Sequence, residues 1–543
     1  MSQIPPYDSD PFPLPSLEEW QKAAGHSLEW SSHDGLKLSA LYHQGPQAPA
    51  ARTAARPWLI REDFSHTIPA VVGKSVRASL EGGATTVGLL QDEAGRRGWD
   101  PDQSEADSLV GRGGISISTV PDLRTALDTY PWNSHSMHLE VGASGAPMLG
   151  ILVGLAIERG ADFPRLSATV GCDPLGELAR AGRLDWELDD LYREAATGFL
   201  YAREFCPNVK VMGINTEAYH EAGATAVQEL ALGLATGLEY FRKLQAHGLK
   251  PAEAARALAF SWSMSGDLFT QVAKLRAARG LWNRLLGLFG VPEQDRVSFF
   301  HARTGLATHS WLDPHSNLLR SALAGFAAVL GGADSVEVAP FDRHLEHASN
   351  DPDAARLARN QQLLMLYEAQ LHRVKDPAAG SYYLEQLTQE LASRTWDDLQ
   401  DLELPAALLD GRVARLLAET GHNRRERVSD GLDVLVGVNR YPLQPPPQPP
   451  VPFDQAAMQA DRREHMGRVR NGRDGGDVAH RLNRVATVAG SLDPALIDAV
   501  AQAARVGATL GEITRAIRKP AITPLEIPPI EKRCLAHPLE VRA

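Results

Sequence analysis

One turn, Glu217-Ala-Tyr-His-Glu-Ala-Gly223, gathers ionisable and hydrogen-bonding side chains into a few consecutive positions: Glu217, Tyr219, His220 and Glu221. Before it, residues 209–216 form an apolar-alternating, β-branched run with the length of a buried strand. After it, Val227, Leu230, Ala231, Leu234, Leu238 and Phe241 recur at three- and four-residue steps, which predicts a helix with one buried stripe that Gly248 stops. In a parallel α/β fold such a turn, at the carboxyl end of a strand, is the usual seat of chemistry. His220 already enters the helix and reads as a surface histidine at its start. The cysteines, Cys172, Cys206 and Cys534, show no CxxC spacing, so neither a disulfide framework nor a zinc site is expected.

The elements that would hold this turn repeat along the chain. Strand signals fall at about 58–61, 85–90, 137–143, 166–172, 209–216, 258–263, 297–303 and 335–340, with helices between them, among them 145–159, 268–289 and 317–330. Eight strands alternating with helices predict a closed (β/α)8 barrel of TIM type. A doubly wound sheet is the fallback, but no GxGxxG follows an early strand to mark a nucleotide crevice. Trp262, Phe299 and Phe300 could fill the barrel axis, and periodicity leaves open which way they point.

Residues 1–57 read as an amino-terminal arm and linker: a helix near Ser16 with capping-box spacing to Glu19, then a hairpin turning at His33-Asp34-Gly35. An arm lying on the barrel or on a partner chain would cover Trp20, Trp30 and its leucines. The barrel and its following helices, 356–373 and 384–402, extend over 58–441. A proline-rich spacer, 442–453, connects them to a helical connector and extended tail at 454–543, where 494–518 reads as one amphipathic helix.

A net charge of −12, from 55 basic and 67 acidic residues, with no long basic run, argues against nucleic acid as partner. The amino terminus has no basic and apolar leader pattern, and no stretch is long enough to span a membrane. A cytoplasmic, reducing location is expected.

Several runs together resemble the methylmalonyl-CoA mutase family: Glu221-Ala-Gly-Ala-Thr-Ala with Gly237-Leu-Glu-Tyr240; Val272-Ala-Lys-Leu-Arg-Ala-Ala-Arg279 with Leu281-Trp282; Arg359-Asn-Gln361; Asp376-Pro-Ala-Ala-Gly-Ser-Tyr-Tyr-Leu-Glu385; Val436-Gly-Val-Asn-Arg-Tyr441; and Ala508-Thr-Leu-Gly-Glu-Ile513. The resemblance spans nearly the whole chain. It implies a barrel along whose axis an acyl-CoA threads. In catalytic members it also implies a cobalamin domain supplying the adenosyl radical for a carbon-skeleton rearrangement.

The departures lie at the pocket. Asp63, in Arg61-Glu-Asp-Phe-Ser, stands where the family carries a radical-steering Tyr; Gly171 stands for a Gln; and Ala218 stands for a His that can donate to the thioester carbonyl. Of the family's substrate contacts only Arg193, matching an Arg that pairs with the substrate carboxylate, is kept. The family's cobalt-ligating Asp-x-His-x-x-Gly has no counterpart, since Asp313-Pro-His315 lacks the glycine, so no cobalamin-binding flavodoxin-like domain is expected. The resemblance therefore implies a non-catalytic small subunit, with no catalytic residue, metal or cofactor of its own, that stabilises a catalytic large subunit carrying adenosylcobalamin and retains acyl-CoA binding only as an open expectation. The rival is the substrate-binding subunit of an acyl-CoA mutase of isobutyryl type, completed by a separate cobalamin protein.

Overall fold

The computed structural model describes residues 55–343, 352–445 and 454–541, with positions 16, 18, 19, 22, 29–32, 34–39, 42 and 447. Eight short strands form its centre: β1 Leu59–Phe64, β2 Thr86–Leu90, β3 Ser136–Gly142, β4 Ser167–Cys172, β5 Asn208–Asn215, β6 Leu258–Met264, β7 Phe300–Thr304 and β8 Ser335–Glu337. All pair in parallel in chain order, and β8 pairs back onto β1, so the sheet is a closed barrel. This is the (β/α)8 TIM barrel expected from the alternation.

A principal helix follows each strand: α1 Pro69–Glu81, α2 Val120–Ala126, α3 Gly145–Glu158, α4 Leu188–Phe205, α5 Ala226–Ala246, α6 Leu268–Leu288, α7 Pro314–Leu330 and α8 Pro352–Leu363. Beyond the barrel come α9 Tyr382–Gln400, α10 Arg412–Ser429, α11 Gln455–Asn471, α12 Gly475–Val488, α13 Ala495–Arg505 and α14 Leu510–Ile517. The single helix expected over 494–518 is two, because Gly507 adopts φ +97° and Thr509 opens a new helix through a capping box with Glu512. The tail is not wholly extended: Leu525–Glu526 pairs with Arg183–Leu184, and His537–Glu540 is helical.

Strand alternation decides what enters the axis. Phe260 and Trp262 face outward, where Gly237 and Gly233 of α5 leave room for their rings, since a Cβ at either would come within 2.7 Å. Phe300 joins them at 5.5 and 5.8 Å between ring centroids. Trp262 and Phe300 therefore belong to the layer between sheet and helices, and of the three aromatics only Phe299 lines the axial cavity without joining that layer. In β5 the amides of Val211 and Met212 share the carbonyl of Ala257, a bulge beyond which Gly213 and Asn215 line the interior.

Several of the runs singled out in the sequence tie the scaffold together. Arg276 of α6 pairs with Asp376 and, at 2.9 Å, with Glu385, clamping α9 to the barrel. Asp100 accepts from Thr509 and the Gly511 amide, which docks the start of α14. The arm hairpin is present as Glu29–Ser31 paired with Lys37–Ser39. Leu36 and Leu38 are buried, Asp34 accepts from the Val227 amide at 3.2 Å, and Arg394 donates to the Asp34 carbonyl, so this part of the arm lies on its own barrel. Trp20 and the Trp30 side chain fall outside the described residues, as does most of the proline-rich spacer.

Candidate functional site at the barrel mouth

Inside the barrel the inward positions of β1, β3, β7 and β8 carry charged or ionisable groups: Arg61, Asp63, His138, Glu140, His301, Arg303 and Glu337. TIM interiors are ordinarily packed with branched apolar side chains, and charges taken out of water survive there only if they are paired. Arg303 supplies most of the pairing. Its Nη2 lies 2.6 Å from Asp63 Oδ2, and its Nη1 lies 2.5 Å from Glu217 and 3.4 Å from Glu140. Arg61 donates to both oxygens of Asp63, Asn215 donates to Glu140 at 3.1 Å, and Arg343 reaches Glu337 at 3.1 Å. Lys532, arriving from the tail, closes the top at 2.9 Å from Glu217.

This pairing fixes the charge states. Burial alone would raise the Asp63 carboxyl, but Arg61 and Arg303 outweigh it and hold it well below the usual range. Glu217 is treated alike: burial is overcome by Lys532 and Arg303. Burial, followed by the Arg61 charge, keeps His138 and His301 well below the ordinary imidazole value, so both are neutral at pH 7. Burial dominates at Glu337, pushed to about 7 despite Arg343. It also dominates at Asp173, pushed to about 6 although Tyr240 donates to it at 2.5 Å.

The space left is a cavity of about 50 Å³, lined among others by His138, Glu140, Gly171, Asp173, Ala218 and His301. That is room for a few waters, whereas small-molecule sites usually span roughly 300 Å³ or more. Over the mouth runs the tail, with Arg533 N–H donating to the Glu221 carbonyl at 2.6 Å and Leu535 N–H to that of Ala307 at 2.8 Å.

Gly171 and Ala218 line this cavity, and Asp63 is buried beside it in the ion-pair network. A Cβ on Gly171 would come 3.2 Å from the His138 ring, so that imidazole fills the space a longer side chain would need. Arg193 stands apart on α4, bonded to Asp190 one turn earlier, and is not among the cavity-lining residues. His220 is a correction. It is buried between sheet and helices, with Nδ1 2.9 Å from Glu229, which also holds buried Lys274 at 2.8 Å and accepts from Thr216 and the Ser263 amide. That cluster locks α5 and α6 to the ends of β5 and β6 outside the cavity. His315 begins α7, its ring 5.2 Å from that of Phe341. Among the described residues no group of three His, Cys, Asp or Glu could hold a metal ion, and no helix is long and apolar enough to cross a membrane.

Sequence reasoning missed Arg61, His138, Glu140, His301, Arg303, Glu337 and Lys532. A signal was available for most of them: His138 with Glu140 and His301 with Arg303 are charged or ionisable pairs two residues apart on one face of predicted strands, and Arg61 with Asp63 has the same spacing on a strand that runs three residues past its expected end.

The family model for methylmalonyl-CoA mutase matches residues 32–522. The chain belongs to the methylmalonyl-CoA mutase family. It is 32% identical to a methylmalonyl-CoA mutase of Rhizobium meliloti (strain 1021), over 93% of this chain and 75% of that protein. It is 33% identical to the methylmalonyl-CoA mutase small subunit of Streptomyces virginiae, over 78% of this chain and 67% of that one. Against the large subunit from Propionibacterium freudenreichii subsp. shermanii the identity is 28%, over 96% and 76%.

Proposed function

We propose that this chain is the non-catalytic small subunit of a heterodimeric methylmalonyl-CoA mutase, pairing with a catalytic large subunit that carries adenosylcobalamin. The observation that supports this most is the ion-pair network occupying the axis along which, by family resemblance, an acyl-CoA would thread. A radical rearrangement needs a dry pocket with donors aimed at the reacting atoms. Here the donors are spent on internal carboxylates, with Arg303 committed to Asp63, Glu140 and Glu217.

Adenosylcobalamin, bound to a mutase, supplies the radical that starts the reaction. The mouth of this barrel does not fit a corrin, because the tail is bonded across the strand ends through Lys532, Arg533 and Leu535. This chain's residues hold a barrel surface for a partner, and a cytoplasmic location is part of the same proposal.

The test is co-expression with the full-length mutase chain encoded in the same genome, followed by size-exclusion chromatography. A one-to-one complex is expected. Elution of the two chains apart would remove the subunit role.

A further inference from the structure

The tail over the barrel mouth is anchored in two unlike ways. Its first part belongs to the barrel: Leu525–Glu526 pairs with Arg183–Leu184, the Ile527 and Ile530 amides donate to the carbonyls of Gly182 and Ala179 at 2.9 Å, and both isoleucines are buried in the main core. Beyond Ile530 that core ends. Leu535 and Ala536 sit instead in a small separate cluster with Leu312, Val428, Leu435 and Val438. Few buried apolar contacts, together with hydrogen bonds close to water, mark a segment that opens locally.

Between the two anchors the chain crosses the mouth with Glu531 and Lys532 exposed. Scattered single bonds hold residues 531–541 down. Lys532 reaches Glu217 at 2.9 Å, the Arg533 amide donates to the Glu221 carbonyl at 2.6 Å, and the Leu535 amide donates to that of Ala307 at 2.8 Å. Glu540 accepts from Ser310 Oγ at 2.6 Å and from the Trp311 amide at 3.2 Å. The Lys532 side chain is 59% exposed and that of Glu217 23%, and an ion pair so open to water contributes little. When the segment lifts, water takes over the bonds that the freed amides and carbonyls lose. Room to move is present as well: a cleft of about 280 Å³ separates Pro528, Pro529 and Glu531 from Ala414, Leu417 and Ala418 of α10.

We propose that residues 531–541 are a flap, hinged after Ile530, that closes the barrel mouth and opens without unfolding of the barrel, with Lys532 on Glu217 as its latch. Opening uncovers Glu217 and the rim of the cavity. The pairs of Arg303 with Asp63 and Glu140 stay in place along the axis, so the flap governs entry of solvent and leaves the axial network intact. This does not rest on the subunit role.

The experiment uses the full chain in four forms: wild type; K532M, which lacks the latch; K532E, which turns it into a repulsion; and K74E on exposed α1, which controls for charge. Hydrogen exchange by mass spectrometry compares residues 531–541 with β3, and Ellman's reagent follows the thiols. Cys534 reports the flap, because its Sγ donates to the His309 carbonyl at 3.3 Å and burial pushes the thiol up to about 12. Cys172 and Cys206 lie in the main core and report only unfolding of the barrel.

The expected result is exchange at 531–541 roughly 100-fold or more faster than in β3, with Cys534 labelled in step and the other two thiols untouched. K532E raises both rates by roughly tenfold over wild type, K532M falls between them, and K74E changes neither. Raising the salt from about 0.05 to about 1 M brings wild type and K532E toward K532M from opposite sides, since it screens an attraction in one and a repulsion in the other. All four forms melt at the wild-type temperature. Exchange of 531–541 only at the rate of β3, or a marked drop in the melting temperature of K532E, would make the segment part of the barrel. Equal opening of wild type and K532E would remove the latch. Any of these results overturns the proposal.

Discussion

Arg303 of β7 and Asp63 of β1 meet 2.6 Å apart across the intervening strand β8, and both are buried. Neither could stand there alone. The carboxylate lies where the family resemblance places a radical-steering tyrosine, and the guanidinium that neutralises it also takes up Glu140 and Glu217.

Removing the cation should therefore be severe. Arg303→Met leaves buried carboxylates without their counter-charge, and unfolding in denaturant should show a loss of about 3–5 kcal/mol. A loss under about 1 kcal/mol would mean that the network is solvated and contributes little.

Glu337 gives the barrel interior a pH signature. Burial raises its carboxyl from 4.5 to about 7, against Arg343 and with Asp63, Arg303 and Arg61 facing it. A folded value above the unfolded one means that the folded chain binds the extra proton, so this contribution is fully present below about 4.5 and is lost as pH rises through about 7. Glu337→Gln removes it. Wild type should lose stability relative to Glu337→Gln between pH 5 and 7, by up to about 1.4 kcal/mol per pH unit, and then run parallel to it above pH 8. Thermal melts across that range check the sign, and a wild type that gains relative to the variant would refute it.

Restoring one family residue should not restore chemistry. Gly171→Gln drives a side chain against the His138 ring, 3.2 Å from the Cβ position, and should cost about 1–3 kcal/mol while producing no acyl-CoA isomerisation with adenosylcobalamin added. A melting curve and a turnover assay on the same preparation decide it.

The barrel was legible in the sequence because β-branched runs and amphipathic helices alternate from residue 58 to 340, and the strands fall within a few residues of their expected places. The interior was not. Charged residues two apart in a strand ordinarily mean a solvated face, and only closure of the sheet turns Arg61, His138 and His301 inward. His220 was misplaced because a helix start usually faces water, whereas Glu229 and Lys274 pull this one beneath the helices. The break at Gly507 was hidden by an apolar spacing that continues across it from Ala504 to Leu510. Gly171 and Ala218 were found by resemblance, and their place beside the cavity follows from the register of β4 and the turn after β5.

The central claim is that the axis of this barrel is closed to substrate. Titrating methylmalonyl-CoA and succinyl-CoA into the isolated chain by calorimetry tests it most directly. The account predicts no saturable binding up to about 1 mM of either thioester, and one-to-one binding with a Kd near 10 μM would contradict it.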